Sequence, residues 1–404
     1  VARRTGWMVA DQAANSLFSF LAGLAAAQIL AVEDFGLYAT LFTAYLVARD
    51  SLRALVFDPF LIRYAASRTG AQTPAVLGLA AAGGVLVTVV AVGVAAAWTE
   101  LTLATALAAA AAVLPLLVVD GLRSIDVVQR HPERAAALSG LLLVGAAVCG
   151  LWIAVLWRTV ASMFIGLLAG ALVAAGSRWR RLRFEPRPSE LARWMGAHRA
   201  VGVPIFLDYL ASAGVISLAA FVLASIDVEQ AAALRGAQMV AAPVILLYVA
   251  LTQALTAEGS RLRGTAPAAI ERFGWWILVA MVASGIACLV VVAGFDSRIS
   301  QVLGDSADVT EPVLVPMMLF TLASAPSLAA SGVLRGRDRS DRALVARLWA
   351  SVPFAAAVLV GAAIDGARGA VTWGAAAQLL TIGIWLHAVV ATRPPMPAID
   401  GSAS

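Results

Sequence analysis

Lysine is absent from this chain: all 29 basic residues are arginine. That excludes a Walker A loop, whose lysine must reach the nucleotide phosphates, and leaves direct ATP hydrolysis without that machinery. It also excludes lysine Schiff-base chemistry. Cysteine is nearly absent. Cys149 and Cys288 lie far apart inside apolar runs, where a thiol behaves as a small buried hydrophobe. The three histidines, His131, His198 and His387, show no metal-ligand spacing, so neither a metal nor a bound cofactor is expected. Charge is scarce as well. Only 13% of residues are charged, against about 25% in a soluble domain.

What fills the space is apolar. The chain is 61% hydrophobic over 404 residues, with a mean hydropathy of +0.88. Runs such as 77–97 and 103–119 suit no solvent but a bilayer. The expectation is an all-α integral membrane protein. The net charge of +5 does not point to nucleic acid, because the arginines sit in short segments between spans. Near the N-terminus, Arg3 and Arg4 precede an apolar stretch, as in a signal peptide. Asp11, Gln12 and Asn15 interrupt that stretch, so the reading is an uncleaved first helix.

Twelve spans are expected, at about 7–31, 36–62, 75–97, 101–122, 135–157, 159–177, 201–224, 231–256, 273–295, 312–334, 343–363 and 370–391. The arginines test that count. With the N-terminus inside, the outer segments hold only Arg158, Arg298 and Arg368. Arg49, Arg53 and Arg235 fall within spans, Arg347 lies at the inner end of the span 343–363, and every other arginine falls inside. Acids lean outward, as in Glu33, Asp34, Asp227, Glu229 and Asp365. The positive-inside rule then places both termini in the cytoplasm.

A basic segment, 178–200, divides the chain into two expected six-helix lobes, 1–177 and 201–393, with a disordered tail at 394–404. Its first part is broken by Pro186 and Pro188. Ser189 then caps a short helix, with Leu191, Trp194 and Met195 on one face, suited to the membrane surface. Shifting the chain by about 197 residues lays Asp11 on Asp208 and Asn15 on Ser212. The halves therefore read as parallel repeats.

The polar residues inside spans are the candidate site. In span two, Arg49 and Arg53 are four apart, on the line of Tyr45 and Phe57, and Asp50 is placed to pair with Arg53. A charge at mid-membrane costs roughly 3 kcal/mol on insertion scales, so these groups face a partner or a watery cavity. Two arginines against one aspartate leave a net positive site fit for an anion. In span one, Asp11, Asn15 and Ser19 form a stripe at i, i+4, i+8. It serves either helix–helix hydrogen bonding or the lining of a polar cavity. Asp208 and Ser212 hold the matching place in span seven. Arg235 and Gln238 lie a turn apart in span eight, where Arg235 is expected to pair with Asp227 or Glu229. Asp120 and Arg123, three apart in span four, read as a structural ion pair.

The segment QILAVEDFGLYATLF, with Glu33, Asp34, Phe35, Gly36, Leu37 and Tyr38, resembles the start of polysaccharide-exporter flippases of the MATE-like (MOP) superfamily. So does the mid-chain restart from Gly202 to Leu255, with Pro204. The second turn departs from the pattern, with Ala232 and Ala233 where glycine is expected. The resemblance implies two six-helix lobes around a central cavity that opens alternately to either side. It implies a non-enzyme that moves polyprenyl-diphosphate-linked oligosaccharide across the cytoplasmic membrane, beside membrane lipids and other glycan-assembly proteins. Arg49 and Arg53 would hold the diphosphate. Asp11, Asn15, Asp208 and Ser212 would contact glycan or a coupling ion, H+ or Na+. Two rivals stand beside it. A multidrug or cation antiporter of the same superfamily wants a net acidic cavity. A membrane glycan polymerase or ligase wants a larger outer loop than 296–311.

Overall fold

The computed structural model describes residues 2–60, 76–86, 102–129, 131–178, 188–262, 267–294, 301 and 303–393. Among these there is no strand, and almost every residue is helical. The chemistry demands this. In a bilayer each backbone N–H and C=O must be satisfied within the segment, which a helix does alone.

The helices, in chain order, are α1 (Ala2–Ile29), α2 (Val32–Leu52), α3 (Val76–Leu86), α4 (Leu103–Val128), α5 (Pro132–Gly145, continued after a π turn by Leu151–Trp157), α6 (Val160–Gly176), α7 (Pro188–Tyr209, continued after a π turn by Val215–Ile226), α8 (Val228–Leu262), α9 (Pro267–Gly294), α10 (Ala307–Gly336), α11 (Ser340–Leu380) and α12 (Ile382–Ala391). Seven helical stretches among the described residues are long and apolar enough to cross a membrane, and α3, α6 and part of α1 are shorter apolar helices. The chain is a multi-pass membrane protein.

Local signals set several boundaries. Thr102 caps α4 through the Thr105 amide at 3.2 Å. Thr159 and Ser162 form a reciprocal capping box at the start of α6. Three helices pass through a π turn: α2 at Arg53–Phe57, α5 at Ala146–Gly150 and α7 at Leu210–Gly214. Each π turn accommodates one extra residue and rotates the helix beyond it. α11 is two helices in substance, broken at Asp365 and at Gly366, whose φ of 55° a side chain would strain. The expected spans at 343–363 and 370–391 fall on either side of that break.

One expectation changes. The segment after Ser189 is not a short helix ending before Gly202 and Pro204. α7 runs unbroken through both to Tyr209. Trp194 and His198 are buried and stacked, 4.1 Å between centroids, and the His198 Nδ1–H donates to the Trp194 carbonyl at 2.7 Å. The apolar face read as membrane-facing packs against protein instead. The arginine-rich part of the segment, 179–187, lies outside the described residues, as does the tail.

Packing groups the chain into two compact units, Val1–Val240 with Asp296–Val313, and Ala241–Phe295 with Leu314–Ser404. In the first, the core gathers Phe18 from α1, Phe35, Tyr38, Phe42 and Tyr45 from α2, Leu116 and Leu117 from α4, Leu138 from α5 and Phe164 from α6. Gly36 lies so close to the Val228 carbonyl that an added Cβ has no room. In the second unit, Tyr248, Leu255, Met281 and Ala325 form the core, and the Tyr248 hydroxyl donates to the Met281 carbonyl at 2.7 Å. Glu271 is held there by both Arg337 and Arg393.

Candidate anion-binding site

All residues of the site belong to the first compact unit. Its spine is one face of α2. Phe35, Tyr38, Phe42 and Tyr45 recur at intervals of three and four, so their rings stack along the helix. Successive centroids are 6.5, 5.5 and 5.5 Å apart, and all four side chains are buried. Arg49 continues the line, its guanidinium 5.9 Å from the Tyr45 ring. From α8, Arg235 sets its guanidinium 5.0 Å from the Phe42 ring. Two cations therefore lie over adjacent rings of one aromatic ladder. Such contacts contribute about 0.5–2 kcal/mol each, enough to orient a guanidinium without consuming its hydrogen-bond donors.

The charges around these arginines are unevenly matched. The Arg49 Nε donates to Asp50 at 3.0 Å. Arg235 does not pair with Asp227 or Glu229, as the sequence suggested. Those acids lie at the start of α8, nearly two turns away, and the Arg235 head lies over Phe42, where its Nε is buried with no hydrogen-bond partner among the described residues. The Tyr38 hydroxyl is likewise buried and unbonded. Arg235 lies within electrostatic reach of both Tyr38 and Arg49.

Arg53 departs from the expected pairing. Asp50 takes Arg49, and Arg53 turns to Asp58 at 3.5 Å with 52% of its side chain exposed, against 19% for Arg49. The π turn that begins at Arg53 is the physical reason. The wider turn rotates the chain after Leu52 relative to the ladder and brings Asp58, five residues on, beside Arg53.

A second cluster adjoins the first. Arg123 donates from Nε and Nη2 to both oxygens of Asp11, each at 2.9 Å, and from Nη1 to Asp120 at 2.5 Å. The Ser139 hydroxyl donates to Asp11 at 2.6 Å. The pair read within α4 is thus a three-helix knot, joining α1, α4 and α5. Two carboxylates share one guanidinium, and the second oxygen of Asp120 is buried without a partner among the described residues. Asp120 is also within electrostatic reach of Tyr45 and Arg49.

The remaining candidates are more local. Asn15 is half-buried, and its carbonyl accepts from Ser19 at 3.3 Å. The Ser212 hydroxyl donates to the Asp208 carbonyl at 2.7 Å. Asp208 and Gln238 are half-buried. Sequence reasoning passed over Tyr209 as a site residue, yet it stands within electrostatic reach of Asp50 and Arg49. Its signal was its place beside Asp208 in the repeat. The role of Arg235 was hidden because its nearest acids in sequence are not its neighbours in space.

No protein-family model matches the sequence, and no curated protein matches it. Solved structures do. A multidrug resistance MATE family transporter of the MOP superfamily, in its inward-facing conformation, superposes with a TM-score of 0.69 at 15% identity, covering 95% of this chain and 98% of that one. The lipid II flippase MurJ, inward closed, superposes at 0.70 with 10% identity, covering 96% and 88%. A MOP superfamily transporter from Pyrococcus furiosus, described by the reverse polarity of its binding pocket, superposes at 0.62 with 13% identity, covering 96% and 94%. At such identities the likeness establishes the fold: this chain has the fold of MOP superfamily transporters.

Proposed function

We propose that the protein is a flippase or exporter that carries a polyprenyl-diphosphate-linked oligosaccharide across the cytoplasmic membrane by alternating access. On this reading 1–177 and 201–393 are its six-helix lobes, both termini are cytoplasmic, and H+ or Na+ couples the movement. The observation that carries the proposal is the pair Arg49 and Arg235, set over adjacent rings of the α2 ladder. One of them has a carboxylate partner and the other, among the described residues, has none. Guanidinium forks match phosphate oxygens, and two of them suit two linked phosphates. Arg53 stands beside the site as an exposed second contact, and Asn15, Asp208, Ser212 and Tyr209 offer polar edges to sugar hydroxyls. Asp11 is tied to Arg123 and Ser139, which supports a role in the wall rather than on the glycan. A cationic-drug antiporter finds no support in a site whose unpaired charge is an arginine. A fold shared with transporters lends none to a glycan polymerase.

The test is translocation of a fluorescent polyprenyl-diphosphate sugar in proteoliposomes. Charge-assisted hydrogen bonds contribute about 1.5–3 kcal/mol each, so Arg49→Ala and Arg235→Ala should each lower apparent affinity about tenfold or more. Lysine at either position should restore the charge but not the fork, and so only part of the activity. Full translocation by a stably folded Arg49→Ala/Arg235→Ala double variant would overturn the reading.

A further inference from the structure

Resting on that reading, we infer that Asp120 is a proton-binding site linked to the anion: binding of a diphosphate beside Arg49 and Arg235 draws a proton onto the buried, unpartnered oxygen of Asp120.

Asp11, Asp50 and Asp120 face Arg49, Arg123 and Arg235, so the cluster is formally neutral. The neutrality is uneven. Arg123 divides its donors between two carboxylates, three bonds reaching Asp11 and Asp120 at 2.5–2.9 Å. Asp11 has both oxygens bonded to Arg123 and a further bond from Ser139. Asp120 has one oxygen on Arg123 and the other buried with no donor among the described residues. An excess negative charge therefore rests on Asp120, and an excess positive charge rests on Arg235. Arg49 lies within electrostatic reach of both.

A diphosphate brings two negative charges to this balanced set. In the interior, charges interact far more strongly than in water, so the added charge must be offset. The phosphates engage Arg49, whose field otherwise stabilises the Asp120 carboxylate. Asp120 is then left with its half share of Arg123. A proton on its free oxygen removes one negative charge and turns an unsatisfied acceptor into an O–H donor.

The groups that face Asp120 agree with this assignment. On α4 itself there is Arg123, from α1 there is Asp11, and from α2 there are Arg49, Tyr45 and, one step further, Asp50. α5 contributes the neutral Ser139; its Glu133 and Arg134 lie at the other end, where Arg178 joins the Arg134 carbonyl and Asp126. The described parts of α3 and α6 carry no charged residue. Of the three carboxylates, Asp50 is held by Arg49, Asp11 has both oxygens on Arg123 with a further bond from Ser139, and Asp120 holds the free oxygen. The linkage is reciprocal. If the anion favours protonation, lower pH favours the anion, and the proton offsets charge on the bound anion rather than driving its export.

The experiment uses the full chain in lipid nanodiscs with farnesyl diphosphate as the probe. Calorimetric titrations in buffers of different ionisation enthalpy count the protons taken up on binding. Wild type should take up about one proton more per bound diphosphate than Asp120→Asn, because the probe's own titration is common to both. Binding to Asp120→Asn should also lose most of the fall in affinity that wild type shows as pH rises. Equal proton uptake by both proteins overturns the proposal. Infrared difference spectra of wild type alone give a second test if the variant does not fold. A protonated-carboxyl C=O band should appear on binding, and a spectrum without one overturns the link. Binding with no proton uptake sinks only this inference, whereas no binding of the diphosphate sinks the anion site and the inference together.

Discussion

At the residue scale, two arginines separated by one helix in sequence do different work. Arg123 is a structural hub. Its three donors hold Asp11 and Asp120, and both acids are largely buried with it. Removing one partner of a buried ion pair leaves an uncompensated charge and costs about 3–5 kcal/mol. Arg123→Ala should therefore lower the melting temperature of the purified protein sharply, whatever happens to transport. Arg53→Ala should not. Its side chain is 52% exposed and its partner Asp58 is 3.5 Å away, so the pair contributes less than about 1 kcal/mol. Thermal unfolding of the two variants in the same lipid separates the hub from the surface pair; similar losses in both would contradict this division. The same two residues show where sequence reading stops. That Arg49, Asp50 and Arg53 in one span and Asp120 and Arg123 in another need polar partners was legible, because charges in apolar runs are rare and local spacing names their near partners. Which acid pairs with which arginine was not. The Asp11–Arg123 contact joins positions 112 apart in sequence, and the Arg53–Asp58 pairing depends on a π turn that leaves no mark in hydrophobic spacing.

At the element scale, the start of α2 decides whether the site forms. The turn VEDFG was legible as a motif, and the reason for its glycine is steric. Gly36 meets the backbone carbonyl of Val228 at the first turn of α8, and an added Cβ has no flexible neighbour to displace. α8 carries Arg235 two turns further on, so this close approach sets where that guanidinium meets the Phe42 ring. Gly36→Val should force the two helix starts apart. The expected result is a folded but less stable protein, with a loss of diphosphate binding larger than its loss of stability predicts, because the ladder and Arg235 no longer register. Gly36→Ala should show the same effects to a smaller degree. Tight binding by a well-folded Gly36→Val protein would show that the approach of α2 to α8 does not position the site. Among the described residues, the places of most helices were readable from apolar runs and breakers. The exception was α7, where Gly202 and Pro204 suggested a stop. In the structure Gly202 lies against the Leu55 carbonyl and Pro59, so its small size serves close packing and not a turn.

At the scale of the whole molecule, orientation rests on arginine alone, since no lysine contributes. The positive-inside rule counts basic residues in short loops near span ends. The segments assigned to the inside include 178–187 and 335–342, which are dense in arginine, whereas 296–311 holds only Arg298. The structure adds a reason for the second of these to stay where it is. Arg337 is anchored by Glu271, by the Val389 carbonyl at 2.8 Å and by the Thr392 hydroxyl at 3.3 Å, and Arg393 joins the same glutamate at 3.0 Å. The start of α9, the end of α10 and the end of α12 thus meet in one ion-paired cluster, and all three must lie on the same side of the membrane. On the proposed orientation that side is the cytoplasmic one, and the end of α12 then lies inside, as an even number of crossings from a cytoplasmic N-terminus requires. A reporter active only outside the membrane should give signal when fused after Ala307 and none when fused after Arg183 or Gly336. Signal after Gly336 with silence after Ala307 would invert the whole molecule, and the diphosphate would then enter the site from the opposite face.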